Sequence, residues 1–466
     1  MKRIANRTFS RQAVATLAAV LSCTMTIMVF SSCSKDDDEP TPVPIEEPIE
    51  YGKVFTYTHE GQALYYVIGE TSQTAAVVPP CYPDYPEPKD EDDEIDYWQG
   101  YEKPKGKVTI PGTVEYSGKS FPVTALEEEV FLSCSDITSV SLPESLTIID
   151  AGAFAGCSSL TDINFPSTLT KIGDFAFQYD GKLGPDIVIP EGVTEIGRVA
   201  FGDCISIESI ILPSSLQSVS QYLFYGCENL TTVNIPDGIT SIGYGAFANC
   251  SSLTDITFPS TLTSIGDFAF QYDGKLGPDI VIPEGVTEIG YAAFGDCYSL
   301  ESIVLPNTLQ SIGEYALAAC TKLNNVTFPD HLTHLGEGAV EDCTSLTDCH
   351  LPAQMEYIDN SLFFNCTNLQ TVIIPDNVSR IEMYAFEKCM SLRELSLPAC
   401  LTEIEDSVFV NGTKLESLTL ASVVPPTISQ NSFDDYATSI IVPKGAGDAY
   451  RKDEIWGRFA NIKEEE

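Results

Sequence analysis

Between about Thr138 and Leu420 the apolar and polar positions of the chain repeat one short sentence. A coil reads L-x-x-I-x-(I/L/F)-P-x-x-(L/V)-T-x-I-G-x-x-A-F-x-x-C, and the segment Ser158–Cys204 holds two copies of it. Prolines mark the beat from Pro143 to Pro398, at intervals of 23 residues except for two of 24, before Pro190 and Pro283. Within a coil, Ile163 and Phe165 alternate with Asp162 and Asn164, the period-2 pattern of a strand with one buried face. The proline that follows ends the strand, because it has no N–H to give a ladder. A second apolar touch comes at Leu169 and Ile172, then Gly173, then a single helical turn that buries Phe177. A period this short cannot close a core by itself, so the coils must stack and share one. The expected fold is a repeat solenoid of coils of about 23 residues, with a parallel sheet on one face.

The flanks do not keep the register. Residues 51–107 contain Phe55-Thr56-Tyr57-Thr58 and Leu64-Tyr65-Tyr66-Val67 around His59-Glu60-Gly61, which predicts a hairpin. It is expected to cap the first coil, because solenoid ends need a polar outer face. Cys81 to Lys103 interrupts the cap as an extended, mobile insertion with an acidic block, Asp90 to Asp96. The block lacks the spacing of a calcium loop. Repeats are assigned to 108–443. Residues 444–466 form a C-terminal cap, with Tyr450, Trp456, Phe459 and Ile462 on a short helix.

Ahead of the cap, residues 1–32 have a basic start and an apolar run from Ala13 to Phe30, then Ser31-Ser32-Cys33. This order matches a signal peptide ending in a lipoprotein-type cleavage site, with Cys33 as the lipid acceptor. A plain membrane anchor and Cys23 are the rival readings. Residues 33–50 are an acidic, proline-rich tether too polar to fold. The acidic run behind Cys33 resembles the surface-export signal of Bacteroidetes lipoproteins. That implies an outer-membrane, lipid-anchored, surface-exposed protein, with the lipid as its only membrane contact.

Charge narrows the partners. The chain carries −42 formally, and loss of Lys2, Arg3, Arg7 and Arg11 with the leader takes it to about −46. Such a surface repels phosphate backbones and excludes nucleic acid as a partner. Ten of the 15 cysteines occupy one slot, three residues after the repeat's Phe; Asp180, Asp273 and Gly412 take that slot elsewhere. The remaining runs of two, three and five cysteines cannot pair fully between neighbours. In-register side chains also point in parallel, unlike the crossed geometry of a disulfide. The column is therefore expected to be a ladder of buried thiols.

The full repeat resembles the BspA-type leucine-rich repeat family of bacterial and protist surface proteins, over about residues 108–443. The ending VPKGAGDAYRKDEIWGRFANI resembles the closing segment of such proteins in gut Bacteroidetes. Membership implies a right-handed solenoid and a role in adhesion at the cell surface. It supplies no binding motif to transfer residue by residue.

Catalytic motifs are absent: there is no nucleophile elbow, HExxH or phosphate-cradling glycine loop. His331, His334, His350, Cys343 and Cys349 lie close in sequence, but the coil register keeps them from converging on zinc. The outward strand positions, such as Asp162/Asn164 and Ser209/Ile211, make a small, polar face without aromatics. Tyrosines gather instead at the turns: Tyr179, Tyr222, Tyr225, Tyr244, Tyr272, Tyr291 and Tyr298.

The segments Ser158–Cys204 and Ser251–Cys297 lie 93 residues apart and differ only at Asn164/Thr257, Lys171/Ser264, Arg198/Tyr291 and Val199/Ala292. Each carries one extra residue, expected to bulge outward and display Tyr179 and Tyr272 roughly 20 Å apart. The pair reads either as a duplication without functional meaning or as a bivalent contact. The expected function is a non-catalytic, monomeric adhesin or protein-binding scaffold with no cofactor, engaging a protein or glycan ligand on host or bacterial surfaces. The alternative is a glycan-binding accessory lipoprotein of a nutrient-uptake system.

Overall fold

A computed structural model describes residues 48–84 and 96–465. Leader residues 1–32, Cys33, the acidic run behind it and most of the block Asp90–Asp96 lie outside the described residues. The chain winds into a parallel β-solenoid of about 15 turns of ~23 residues, with little helix. Its core is one continuous cluster that runs from Leu64 to Phe459.

The alternating strand forms where the pattern puts it. Ile137–Ser141 pairs in parallel with Asp162–Asn164, and Asp186–Val188 with Ser209–Ile211 and Thr232–Asn234. Asp162–Asn164, Asp186–Val188 and Thr232–Asn234 each bury the central residue and expose its two neighbours. A second parallel ladder, which the sequence pattern did not suggest, forms at the Leu169–Ile172 touch. Its two-residue strands, such as Lys171–Ile172 and Glu195–Ile196, bury only the isoleucine. Gly173 follows because the coils approach closely there. A Cβ on it would lie 2.5 Å from the Ala151 nitrogen, closer than any side chain tolerates.

No helical turn buries Phe177. The segment is a run of turns in which Phe175 (φ 58°) and Tyr179 (φ 66°) are left-handed. This aims alternate N–H groups along the solenoid axis. Phe175, Phe177 and Tyr179 donate to Arg198, Ala200 and Gly202 of the next coil, while Gln178 and Asp180 bond back within their own turn. A helix would spend all these donors inside one coil; the turn joins coils instead.

The Phe column stacks at regular spacing, for example Phe154–Phe177 at 5.3 Å and Phe177–Phe201 at 5.2 Å. Leu317 and Val340 interrupt it, and Phe433 extends it beyond Phe409. All 13 described cysteines are unpaired. The thiols also do more than fill space. Cys204 Sγ donates to the Phe177 carbonyl at 3.1 Å, Cys227 to Phe201 and Cys250 to Phe224. Beside Gly412 the hydroxyl of Thr413 takes over this bond, to Phe386 at 2.7 Å.

At the N-terminal end Phe55–His59 and Gln62–Ile68 pair antiparallel, and Ala75–Val78 carries the sheet onto the first coil. The described end of the insertion is not extended. Tyr97 and Trp98 are buried, and Trp98 Nε1 donates to the Val130 carbonyl at 2.9 Å. At the other end, Tyr450 sits on the helix Gly447–Lys452 and Trp456 on a 3-10 turn, while Ile462 lies on a strand, Asn461–Glu464. That strand pairs with Ser439–Val442 and closes the sheet, so the expected single helix is replaced by a helix and a strand.

Candidate binding surfaces

Two lengthwise surfaces lie outside this core. The first is the strand face. It is less polar than the sequence suggested, because Val188, Ile211, Val281, Val304 and Ile373 stand 47–63% exposed on it. Val188 and Ile211 occupy neighbouring strands, as do Val281 and Val304, so the aliphatics form two pairs 93 residues apart. A shallow groove of about 550 Å³ runs beside the first pair, lined by Ile211, Asn234, Asp237 and Phe258. A second, of about 380 Å³, lies beside the next pair and is lined by Val304, Thr327, Phe328 and Asp330.

The extra residues act on this face rather than under the tyrosines. In each 24-residue coil the insertion falls at Gly184-Pro185 or Gly277-Pro278, between the buried leucine and the strand. The parallel sheet breaks there: Asp162–Asn164 has no partner in Asp186–Val188, and a new sheet starts at Asp279–Val281. A proline beside the strand has no N–H for the ladder. Tyr179 and Tyr272 are 50% and 37% exposed for another reason. They occupy the left-handed slot that Asp203, Asn249 and Asp296 fill in other coils, and that backbone points the side chain away from the core.

The second surface is the turn edge, where the tyrosines form files rather than isolated residues. Rings of Tyr222, Tyr244, Phe268, Tyr291 and Tyr315 succeed one another coil by coil at 5.0, 5.1, 4.9 and 5.6 Å. Tyr225 joins this file against Tyr222. Tyr291 and Tyr298 are exposed, at 37% and 45%; Tyr222, Tyr225 and Tyr244 are half-buried. Acids flank them. Tyr315 donates to Glu337 Oε1 at 2.7 Å, and Tyr298 to Asp296 Oδ1 at 2.7 Å. The Asp296 bond, with burial, pushes the Tyr298 hydroxyl up to about 12. Burial, with Asp342 and Glu337 nearby, raises Glu341 to about 7.

The histidines do not gather. His331 bonds the Leu309 carbonyl at 2.7 Å, His334 stacks on Tyr357, and His350 projects from the strand face, while Cys343 and Cys349 are buried. Among the described residues no group of three or more His, Cys, Asp or Glu could hold a metal ion. No helix among them is long and apolar enough to cross a membrane.

A stack of parallel coils with a buried Phe column and two open lengthwise surfaces defines a leucine-rich repeat protein. Its sequence matches the family described as BspA type leucine rich repeat region over residues 124–185, 183–298, 272–390 and 334–446. The chain belongs to that family. Among solved structures it is similar to a leucine-rich repeat protein from Bacteroides ovatus, at 22% identity and TM-score 0.63, covering 86% of this chain and 98% of that one. It is also similar to a leucine rich cell surface protein from Faecalibacterium prausnitzii, at 25% identity and TM-score 0.50, covering 78% and 94%. Comparison with curated proteins gives no match.

Proposed function

We propose that the chain is a non-catalytic, monomeric binding scaffold on the outer cell surface, adhering to macromolecules of host or bacterial surfaces. The observation that carries this reading is the set of large side chains the fold does not use. Val188, Val281, Ile373 and Tyr179 are 50% or more exposed on a solenoid whose core is complete without them. Exposed apolar and tyrosine side chains in rows mark interaction surfaces. Membership of a repeat family and likeness to a cell surface protein from Faecalibacterium prausnitzii support the same reading. Lipidation of Cys33 would tether the protein to the outer membrane, with residues 33–50 as spacer.

Glycan binding by an accessory lipoprotein is the second reading, favoured by the twin grooves and by tyrosines free to stack. A binding screen of the protein without its leader, against matrix proteins and glycan arrays, separates the two. Reproducible binding to a protein supports the scaffold, and binding only to glycans supports the alternative. Absence of any binding overturns both. In the same screen, Tyr179→Ala with Tyr272→Ala tests the paired contact: binding equal to wild type would refute a role for these two tyrosines.

A further inference from the structure

The two near-identical segments are an internal comparison, because three of their four differences fall at the second ladder and the turn edge. In the first copy the edge is filled. Arg198 lies over the Phe175 ring, with its guanidinium carbon 5.1 Å from the ring centre. Its Nε donates to Asp174 Oδ2 at 2.9 Å, and its backbone N–H to Asp174 Oδ1 at 2.9 Å. Lys171 stands 3.6 Å from Asp150 and 3.8 Å from Glu195. Two cations therefore neutralise the acids of that edge.

In the second copy the same carboxylate and the same aromatic remain, and both cations are gone. Ser264 replaces Lys171 and Tyr291 replaces Arg198. The Tyr291 N–H still donates to Asp267 Oδ1 at 2.8 Å. Among the described residues no side chain bonds Asp267 Oδ2, the oxygen that an arginine holds in the first copy. Phe268 is half-buried, with the Tyr291 ring 4.9 Å and the Tyr244 ring 5.1 Å from its own, so Tyr291, itself 37% exposed, replaces the guanidinium over this aromatic. Glu288, opposite Ser264 on the second ladder, and Glu314, near Tyr291, are exposed, and neither is ion-paired among the described residues.

We propose that this edge, centred on Asp267 and Tyr291, receives an arginine side chain from a basic segment of a partner protein, its guanidinium bonding the free Asp267 Oδ2 as Arg198 bonds Asp174 and stacking on the exposed ring of Tyr291, which takes Arg198's place over Phe268. The proposal rests on the scaffold reading and names the partner's chemistry. A guanidinium is planar, so it stacks on a ring face while its N–H groups reach a carboxylate; an ammonium cannot do both equally well. The excess negative charge of the edge and of the whole chain steers a cationic partner to it. The aromatic row continues through Tyr222 and Tyr315, which gives a partner several coils of contact.

The test titrates the purified protein with a tetra-arginine peptide, a tetra-lysine peptide and a neutral gluco-oligosaccharide. Tetra-arginine is expected to bind more tightly than tetra-lysine and to weaken as salt rises. Tyr291→Arg should lower tetra-arginine affinity about tenfold, because its own guanidinium occupies Asp267 as Arg198 occupies Asp174. Its melting temperature should stay unchanged, since arginine already stands in the equivalent coil. Asp267→Asn keeps the acceptor for the Tyr291 N–H and should lower the affinity as well. Arg198→Tyr should add a second, weaker site.

Equal affinity of wild type and Tyr291→Arg overturns the proposal, as does equal binding of the two peptides. Oligosaccharide binding that Tyr291→Arg abolishes, with no tetra-arginine binding, assigns the edge to glycans and also overturns it. A surface protein from the screen that binds wild type and Tyr291→Arg alike removes this site but leaves the scaffold reading standing. If no surface protein binds either form, the scaffold reading itself falls.

Discussion

Replacing Asp273 by cysteine should stabilise the protein at neutral pH and do so less at pH 4. Asp273 is fully buried, between Cys250 and Cys297 of the adjacent coils, and neither carboxyl oxygen makes a hydrogen bond. Burial raises its pKa well above the ordinary carboxylate value. A buried polar group left unsatisfied costs about 1–3 kcal/mol. A cysteine in this slot removes that cost and donates to the Phe247 carbonyl, as Cys250 does to Phe224. A gain of about 2 kcal/mol at pH 7 is expected.

The sign with pH follows from linkage. The folded pKa lies above the unfolded value of about 3.9, so above pH ~4 the unfolded chain loses a proton that the folded chain keeps. Wild-type stability therefore falls as pH rises from that point toward the folded pKa. Asp273→Cys escapes this loss, and its advantage shrinks as pH falls toward 4. Global melting of a repeat array departs from two-state behaviour, so a local readout is the sounder assay. Exchange of the Phe247 and Phe294 amide hydrogens should slow by about thirtyfold at pH 7, the equivalent of 2 kcal/mol in local opening. Unchanged or faster exchange, or a gain that persists undiminished at pH 4, refutes the reasoning.

Three further outcomes are expected. Phe247 stacks between Phe224 and Phe270 at 5.4 and 5.3 Å with no exposed surface, so Phe247→Ala should cost about 3–5 kcal/mol locally, seen as faster amide exchange in its own and the adjoining coils. Burial pushes the ladder thiols Cys134 and Cys320 up to about 12, so a thiol reagent should label exposed Cys400 in the native protein and leave the ladder untouched. Denatured, unreduced protein should then reveal the ladder thiols; fewer than about four would contradict their free state. Cys33→Ala should release the protein from the membrane fraction, and retention there would move the anchor to Cys23 or to the apolar leader itself.

Much of the fold is legible in the repeat because the period reports what each coil buries. Ile163, Leu169, Ile172 and Phe177 recur at fixed offsets, and apolar residues at fixed offsets have only a stacked core to enter. The thiol ladder is legible for the same reason, since ten cysteines in one slot must lie in register. Other features depend on contacts between coils and leave no period. The left-handed backbone at Tyr179 arises from N–H groups aimed at the next coil, which no helix or strand pattern encodes. The effect of the 24th residue is decided by where it falls: at Gly184-Pro185 it breaks the sheet, where a bulge beneath Tyr179 had been expected. The edge at Asp267 depends on which side chain the neighbouring coil supplies. Arg198 and Tyr291 are two of many outward residues in the sequence, and only stacking brings one over Phe175 and the other over Phe268.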